Sequence, residues 1–442
     1  MVPVLCSSAL VAVTAFVGLI SATGNTFSVP LVHNPDAVRH GPTELLRTLK
    51  KHNLAIPDGL QDTVDAFHVQ FASSKMVEDG GDSGTVQTIS KEGDLLWITP
   101  VGVGSPSQQL YLDLDTGSTD TWVFSTETNE KQVKGQTLYD PSQSTTSKKI
   151  PDCSWDIVYG DFSSSSGTCW KDTFTLGNLS IPEMTIESAQ QVSKMFSETD
   201  YMSGLVGLAW PDIAQTTPKQ KSLLEYLSDV LDEALFTVDF RHNSSDGSFN
   251  FGFVDDNLHD EDIEWTAVDT SEGFWSVTNT AFGVGQENMT YSFLTPRAVI
   301  VDTGTTLLFA PQAAVETYYS KIDGAKFSGK DYGYVVPCDV TPPDFVWELR
   351  DEQGGTIKGA VPGEYVPYAL AANGTCFAGI QSVSGLTGVE GIFGDVWLKS
   401  HFAVFDIEGK RYGAASKPLN LDNGRKRSVN KVELSENRVW IP

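Results

Sequence analysis

Two short stretches of this chain recur at one fixed distance, and that repeat constrains the fold more than any other feature. Leu112-Asp113-Leu114-Asp115-Thr116-Gly117-Ser118-Thr119 returns as Val299-Ile300-Val301-Asp302-Thr303-Gly304-Thr305-Thr306, 187 residues later. Gly204-Leu205-Val206-Gly207-Leu208 returns by the same offset as Gly391-Ile392-Phe393-Gly394-Asp395. Two independent motifs sharing one offset predict two lobes of like architecture, joined near residues 255–275. Each Asp-Thr-Gly follows a Leu-rich or β-branched run, which places it at a strand end entering a tight glycine turn.

Between the motifs the chain alternates apolar and polar residues over short runs. Examples are Trp97-Ile98-Thr99-Pro100-Val101, Phe236-Thr237-Val238-Asp239-Phe240 and Phe402-Ala403-Val404-Phe405. Helical spacing is scarce and clearest in Leu223-Leu224-Glu225-Tyr226-Leu227-Ser228-Asp229-Val230-Leu231, behind Pro218. With 442 residues, 40% apolar content, 39 Gly and 21 Pro, the expectation is a mostly β, turn-rich protein with more than one core.

Charge narrows the partners. Fifty-seven acidic residues against 30 Lys and Arg give a net charge of −27, which excludes the basic face that nucleic acid or an anionic membrane requires. Carboxylates that lose their charge in acid also spare the molecule self-repulsion there, which permits a secreted protein working at low pH. No Cys-x-x-Cys occurs, and four of the seven His lie before residue 70, so neither metal nor cofactor is expected.

The ends differ from the middle. Val2 to Ile20 is almost wholly apolar and leads into Ser21-Ala22-Thr23-Gly24, as a secretory signal peptide over 1–22 does. A membrane anchor is the alternative, against which stand the run's marginal length and its Ser7, Ser8 and Thr14. Residues 23–82 read as a propeptide, with a helical, partly basic stretch from Glu44 to His52 ended by Pro57, and then a loose polar run. Arg425-Lys426-Arg427 reads either as a processing signal for a removable tail, 425–442, or as a solvated charge run.

Four cysteines remain once Cys6 leaves with the signal, an even number that suits an oxidising compartment. Cys153, Cys169, Cys338 and Cys376 allow three pairings; chain order favours 153–169 with 338–376. Sequons at Asn178, Asn243, Asn288 and Asn373 are glycosylation candidates in a eukaryotic secretory path.

A carboxylate at the same place in two similar lobes faces its counterpart across a pseudo-twofold axis. Two carboxyl groups about 3 Å apart cannot both ionise comfortably, so they share a proton and hold a water between them. One carboxylate takes a proton from that water as it attacks an amide carbonyl, and the other carboxyl donates to the developing oxyanion. Gly117 and Gly304 let the backbone pass close to the carboxylates, while Thr116, Ser118, Thr303 and Thr305 supply hydrogen bonds that fix geometry.

From about Leu95 to Ala414 the sequence resembles the pepsin-like aspartic endopeptidases, most nearly the secreted fungal pepsins of the penicillopepsin type. A proton shared by two carboxyls is the known property of that family's dyad. Asp115-Thr-Gly-Ser with Trp122 resembles the first catalytic motif, and Asp302-Thr-Gly-Thr-Thr-Leu-Leu the second. Val158-Tyr159-Gly160-Asp161 resembles the flap, a hairpin that closes over substrate, with Tyr159 as its tyrosine. Gly273-Phe274-Trp275 and Phe251-Gly252-Phe253-Val254-Asp255 also read like stretches of the fungal members.

The resemblance implies a bilobal pepsin-like fold with a central cleft, lobes over 83–265 and 266–424, and a monomer acting on protein and peptide substrates without cofactor. It implies Asp115 as general base and Asp302 as acid partner in a pair that titrates as a unit, apolar residues preferred around the cut, and a Cys338–Cys376 disulfide. Asp161 resembles the acidic flap residue with which some fungal pepsins accept Lys beside the scissile bond. Phe162 departs from the family, which carries a glycine there. Cys153 and Cys169 flank the flap and would staple its strands. The stretch from Gly41 to Lys51 resembles fungal pepsin prosegments, in which Lys50 or Lys51 would pair with the ionised dyad near neutral pH; the alternative is a simple folding aid. A pepsin-fold protein that binds peptides uncut would lose one Asp-Thr-Gly, and a two-carboxylate glycosidase would not need the repeat.

Overall fold

The computed structural model describes residues 26–33, 39–52, 54–68, 97–158, 164–199, 201–244, 247–285, 291–371, 374–383, 389–419 and 427–428. The expected signal peptide, the flap tip with Tyr159, Gly160, Asp161 and Phe162, the sequons at Asn288 and Asn373, and most of the tail lie outside them. Among the described residues no helix is long and apolar enough to cross a membrane.

The molecule is mostly β, and the 187-residue repeat is visible in its strand register. In the first half the strand Gln108–Asp115 runs parallel to Gly204–Gly207, pairing Leu114 with Val206, and Gly204–Gly207 runs antiparallel to Thr121–Phe124, pairing Thr121 with Val206. In the second half Tyr291–Val301 runs parallel to Ile392–Phe393, pairing Val301 with Phe393, and that strand meets Leu308–Pro311 with Leu308 opposite Phe393. Each pair of the second half is the first-half pair moved on by the repeat. Around these cores lie a nine-stranded sheet in the first half, and seven- and four-stranded sheets in the second.

A six-stranded sheet joins the halves. Leu235–Asp239 of the first pairs with Phe402–Asp406 of the second, which in turn pairs with Arg411–Ala415. Its central strands, Leu235–Asp239 and Phe402–Asp406, are buried on both faces and carry no exposed alternation. Phe236 stacks on Phe405 at 4.6 Å and meets Trp275 edge-on at 5.9 Å. Each such fully buried ring contributes about 2 kcal/mol through the water it sheds. Leu223–Val230 is helical as its spacing predicts, opened by a capping box between Ser222 and Glu225 and burying Leu223, Leu224 and Leu227.

The N-terminal segment is more built-in than its composition suggests. Phe27–Pro30 forms an edge strand of the six-stranded sheet beside Ser248–Phe251, with Phe27 stacked on Phe251 at 4.8 Å. Gly41–Lys51 is a helix with Pro42 in its first turn and Lys50 and Lys51 in its last, where cations suit the helix dipole. Its Leu45, Leu46 and Leu49 pack with Leu54, Leu60 and Val64 onto Leu307, Phe309 and Phe377 of the second half. The helix stops before Pro57, and a second one, residues 60–68, follows; the loose run expected through residues 78–84 lies outside the described residues.

Cys153 pairs with Cys169 across the antiparallel strands Lys148–Val158 and Ser164–Leu176, Cα atoms 5.5 Å apart. Cys338 pairs with Cys376, Cα atoms 5.0 Å apart. Asn178 is exposed in the turn after Ser164–Leu176, and Asn243 is exposed with its side-chain oxygen bound by Arg39. Arg427–Ser428 pairs with Pro418–Leu419.

Candidate active site

Asp115 ends one repeated strand and Asp302 immediately follows the other, so the parallel pairing beside each carries its carboxyl to the seam between the halves. Both side chains are fully buried. The turns that follow interlock. Thr116 Oγ1 donates to the Val301 carbonyl at 3.0 Å, and Thr303 Oγ1 donates to the Leu114 carbonyl at 2.7 Å. Each hydroxyl also accepts the other threonine's backbone N–H, both at 3.0 Å. Four hydrogen bonds thus close a reciprocal knot between the halves, and every buried polar group in it has a partner.

The carboxylates are held identically from below. Gly117 N–H donates to Asp115 Oδ1 at 2.8 Å and Gly304 N–H to Asp302 Oδ1 at 3.0 Å. Ser118 Oγ donates to Asp115 Oδ2 and Thr305 Oγ1 to Asp302 Oδ2, each at 2.5 Å. A Cβ on Gly117 would stand 2.5 Å from Asp302 Oδ1, and one on Gly304 would run into Asp115 Oδ1. Only glycine admits the close approach of the two turns.

The N-terminal segment reaches this pair. Lys51 Nζ donates to Asp115 Oδ1 and to Asp302 Oδ1, 2.7 Å from each, and its side chain is 12% exposed. His52 Nε2 lies 3.0 Å from Asp302 Oδ2. Glu44, buried one helical face away, accepts from Thr306 Oγ1 at 2.9 Å and pairs with Arg47.

Burial works against every charge here, and the partners decide the outcome. Burial pushes the Asp115 carboxyl above its ordinary value, with the Asp302 charge adding to it and Lys51 opposing. Burial pushes Asp302 the same way, but the Lys51 charge and the His52 contact outweigh it and hold that carboxyl well below the usual carboxylate range. Burial alone would lower Lys51, and the two carboxylates outweigh it, so the amine stays charged. Asp113, two residues before Asp115 on the same face of its strand, is pushed up to about 8 by burial and then by the Asp115 charge.

The sequence-predicted residues are thus brought together unevenly. Asp115, Asp302, Thr116, Gly117, Ser118, Thr303, Gly304 and Thr305 form one cluster. Trp122 is fully buried in the first half's core, against Phe124, Trp155 and Phe196. Tyr159, Gly160 and Asp161 lie outside the described residues. Of the two candidate lysines, Lys51 is the one on the carboxylates. His52, Glu44 and Asp113 were missed: His52 and Asp113 adjoin flagged residues in the chain, but only packing aims them here.

Residues 96–417 match the family model described as eukaryotic aspartyl protease. The chain is 39% identical over 383 residues to endothiapepsin of Cryphonectria parasitica, covering 86% of this chain and 87% of that protein. It is 40% identical over 337 residues to penicillopepsin-1 of Penicillium rubens, covering 76% and 81%. It is 36% identical over 418 residues to aspergillopepsin-1 of Aspergillus oryzae, covering 93% and 99%.

Proposed function

The chain belongs to the eukaryotic aspartyl protease family and is an aspartic-type endopeptidase, and from that premise we propose that it is made as a secreted zymogen cutting proteins in acid through Asp115, Asp302 and a water between them. The observation that carries this reading is the 2.7 Å contact of Lys51 Nζ with both carboxylates: a basic group of the chain's own N-terminal segment fills the place where a scissile bond would be attacked. In this reading residues 23–82 are the propeptide and 83–424 the enzyme.

Near neutral pH the ammonium neutralises the pair and blocks it. In acid the carboxylates take up protons, the ion pairs fail, and Lys51 and His52 leave together. What held Asp302 ionised leaves with them, so the freed carboxyls share one proton as a unit. Asp115 then draws a proton from the bound water as its oxygen attacks the carbonyl carbon, and Asp302 donates its proton to the carbonyl oxygen. Collapse of the tetrahedral intermediate breaks the C–N bond, with a proton passing to the leaving amine. Ser118 and Thr305 keep the outer oxygens oriented throughout. The hairpin with Tyr159, Gly160 and Asp161 closes over substrate, apolar residues flank the cut, and the enzyme works as a monomer outside the cell.

The full chain and its Asp115→Asn variant, held at pH 3.5 with denatured haemoglobin, test the proposal. Cleavage and loss of the N-terminal segment by the wild type alone, read by mass spectrometry, are the expected result. A folded, processed wild type that leaves haemoglobin intact would overturn it.

A further inference from the structure

The Lys51 lock is one of several places where the prosegment is fastened. Another lies at the outer end of the Gly41–Lys51 helix, where it meets the 60–68 helix. His40 is the residue that opens the first helix, and its ring lies flat on the Phe67 ring, centroids 3.8 Å apart and planes 4° off parallel. His40 Nδ1 is 2.7 Å from Thr43 Oγ1. Beyond Phe67, the ring of His68 lies 5.8 Å away, and His68 Nδ1 stands 3.7 Å from Glu198 of the first lobe. On the other side Gly41 fits so tightly against the Phe377 ring of the second lobe that a Cβ there would collide with it. The stacked pair therefore joins the two prosegment helices, next to the point where His68 reaches Glu198 of the first lobe.

We propose that this His40–Phe67 joint is a second acid trigger of the zymogen, opening the prosegment at pH values where the Lys51 lock still holds. The proposal rests on the zymogen reading above and adds a regulatory element to it.

The reason is the surroundings of the ring. His40 stands at the positive end of a helix dipole, where a cation is unfavourable. From the second helix it is faced by His68, a like charge when both are protonated. Arg39, its neighbour in the chain, adds a guanidinium that is engaged with the Tyr368 ring and with Asn243. The anion facing it is Asp331, from the second lobe. Glu44, one turn along the helix, is taken up by Arg47 and Thr306.

Burial first, and then the His68 charge, push the His40 imidazole down to about 4. The sign follows from linkage. A base whose value is lowered in the docked state takes up its proton on release, so docking weakens as pH falls from the free value near 6.5 toward 4. The loss amounts to about 30-fold by pH 5 and about 300-fold once the group is fully charged. The ion pairs at Asp302 act in a lower window, because that carboxyl is held below its ordinary value.

The test compares full-length zymogens: wild type and His40→Phe. Conversion is followed by the mass of the released N-terminal segment across pH 3 to 7, and the matured enzymes are assayed with one fluorogenic peptide. The variant keeps an aromatic ring against Phe67 and lacks the titrating group at the joint. At pH 5 it is expected to convert about 30-fold more slowly than wild type, the difference vanishing toward pH 7, while the matured enzymes share one kcat/KM. Equal conversion rates at pH 5, with latency intact at pH 7, would overturn the joint as a trigger and leave the zymogen reading standing. A wild type already active at pH 7 with its N-terminal segment attached would overturn the zymogen reading itself. A Phe67→Leu zymogen, which loses the stack, is expected to convert faster than wild type at pH 6, and an unchanged rate there would also count against the joint.

Discussion

His52 Nε2 sits 3.0 Å from Asp302 Oδ2, the oxygen turned away from Lys51. The halves are alike in register and in the hydrogen bonds beneath each carboxylate, yet the N-terminal segment loads the two acids unequally. Asp302 receives two nitrogen groups and Asp115 one. The segment thereby favours one ionised and one more readily protonated carboxyl, an asymmetry that the repeated turns do not contain.

Replacing Lys51 by Met tests the lock through its pH window. Lys51 is raised in the folded state and Asp302 is depressed, so their pairing stabilises docking above the free carboxylate range and below the free amine range. It fades as pH falls through the Asp302 value. Without the amine, conversion at pH 6 is expected to rise at least tenfold, since one partner of a buried ion pair has been removed. Mass spectrometry of the N-terminus over time reads this, and a rate equal to wild type at pH 6 rules the lock out.

Thr303→Val removes one hydroxyl from the reciprocal knot and strands two buried backbone groups, the Leu114 carbonyl and the Thr116 amide. Each stranded group costs about 1–3 kcal/mol, so a loss of about 2 kcal/mol or more in unfolding free energy is expected, read by denaturant titration. Thr303→Ser keeps both bonds and should recover most of the loss.

Asp120 and Glu187 form a second buried carboxyl pair, lining a small cavity with Thr121, Met184 and Leu223. Burial pushes Glu187 well above the carboxylate range and Asp120 up to about 6. Acids raised in the folded state stabilise it at low pH and cease to do so as pH rises through their folded values. Glu187→Gln is expected to move the midpoint of alkaline unfolding upward by at least half a pH unit, and a midpoint that stays put would refute the assignment.

The Cys153–Cys169 disulfide closes a 16-residue separation across the paired strands Lys148–Val158 and Ser164–Leu176. Replacing both cysteines by Ala is expected to cost about 3 kcal/mol, chiefly by freeing the unfolded chain. Thermal unfolding under oxidising conditions checks the figure. Looser strands below residues 159–163 should also raise KM more than they lower kcat.

Much of this molecule is written in local pattern. The repeat at Asp115 and Asp302, the strand runs before each, and the capping box at Ser222 all concern residues a few positions apart, where backbone sterics and side-chain alternation act directly. The spacing between repeats even fixes which strand pairs recur, because Leu114 with Val206 and Val301 with Phe393 must solve the same packing problem. Chain order also favoured the cysteine pairing that the folded chain adopts.

Other features depended on contacts that no spacing encodes. Lys50 and Lys51 are equivalent in sequence, and only the docking angle of their helix puts Lys51 on acids 64 and 251 residues away. His52, Phe67 and the Phe27–Pro30 strand carry no local signal of their roles, since their partners lie in other elements. Two lobes, their strand ends and the carboxylate on each follow from alternation and turn chemistry along the chain. Which basic groups meet the carboxylates, and where the N-terminal segment is fastened, follow only from the folded surfaces. Those choices are made by shape and charge complementarity between surfaces that exist only after each lobe has folded.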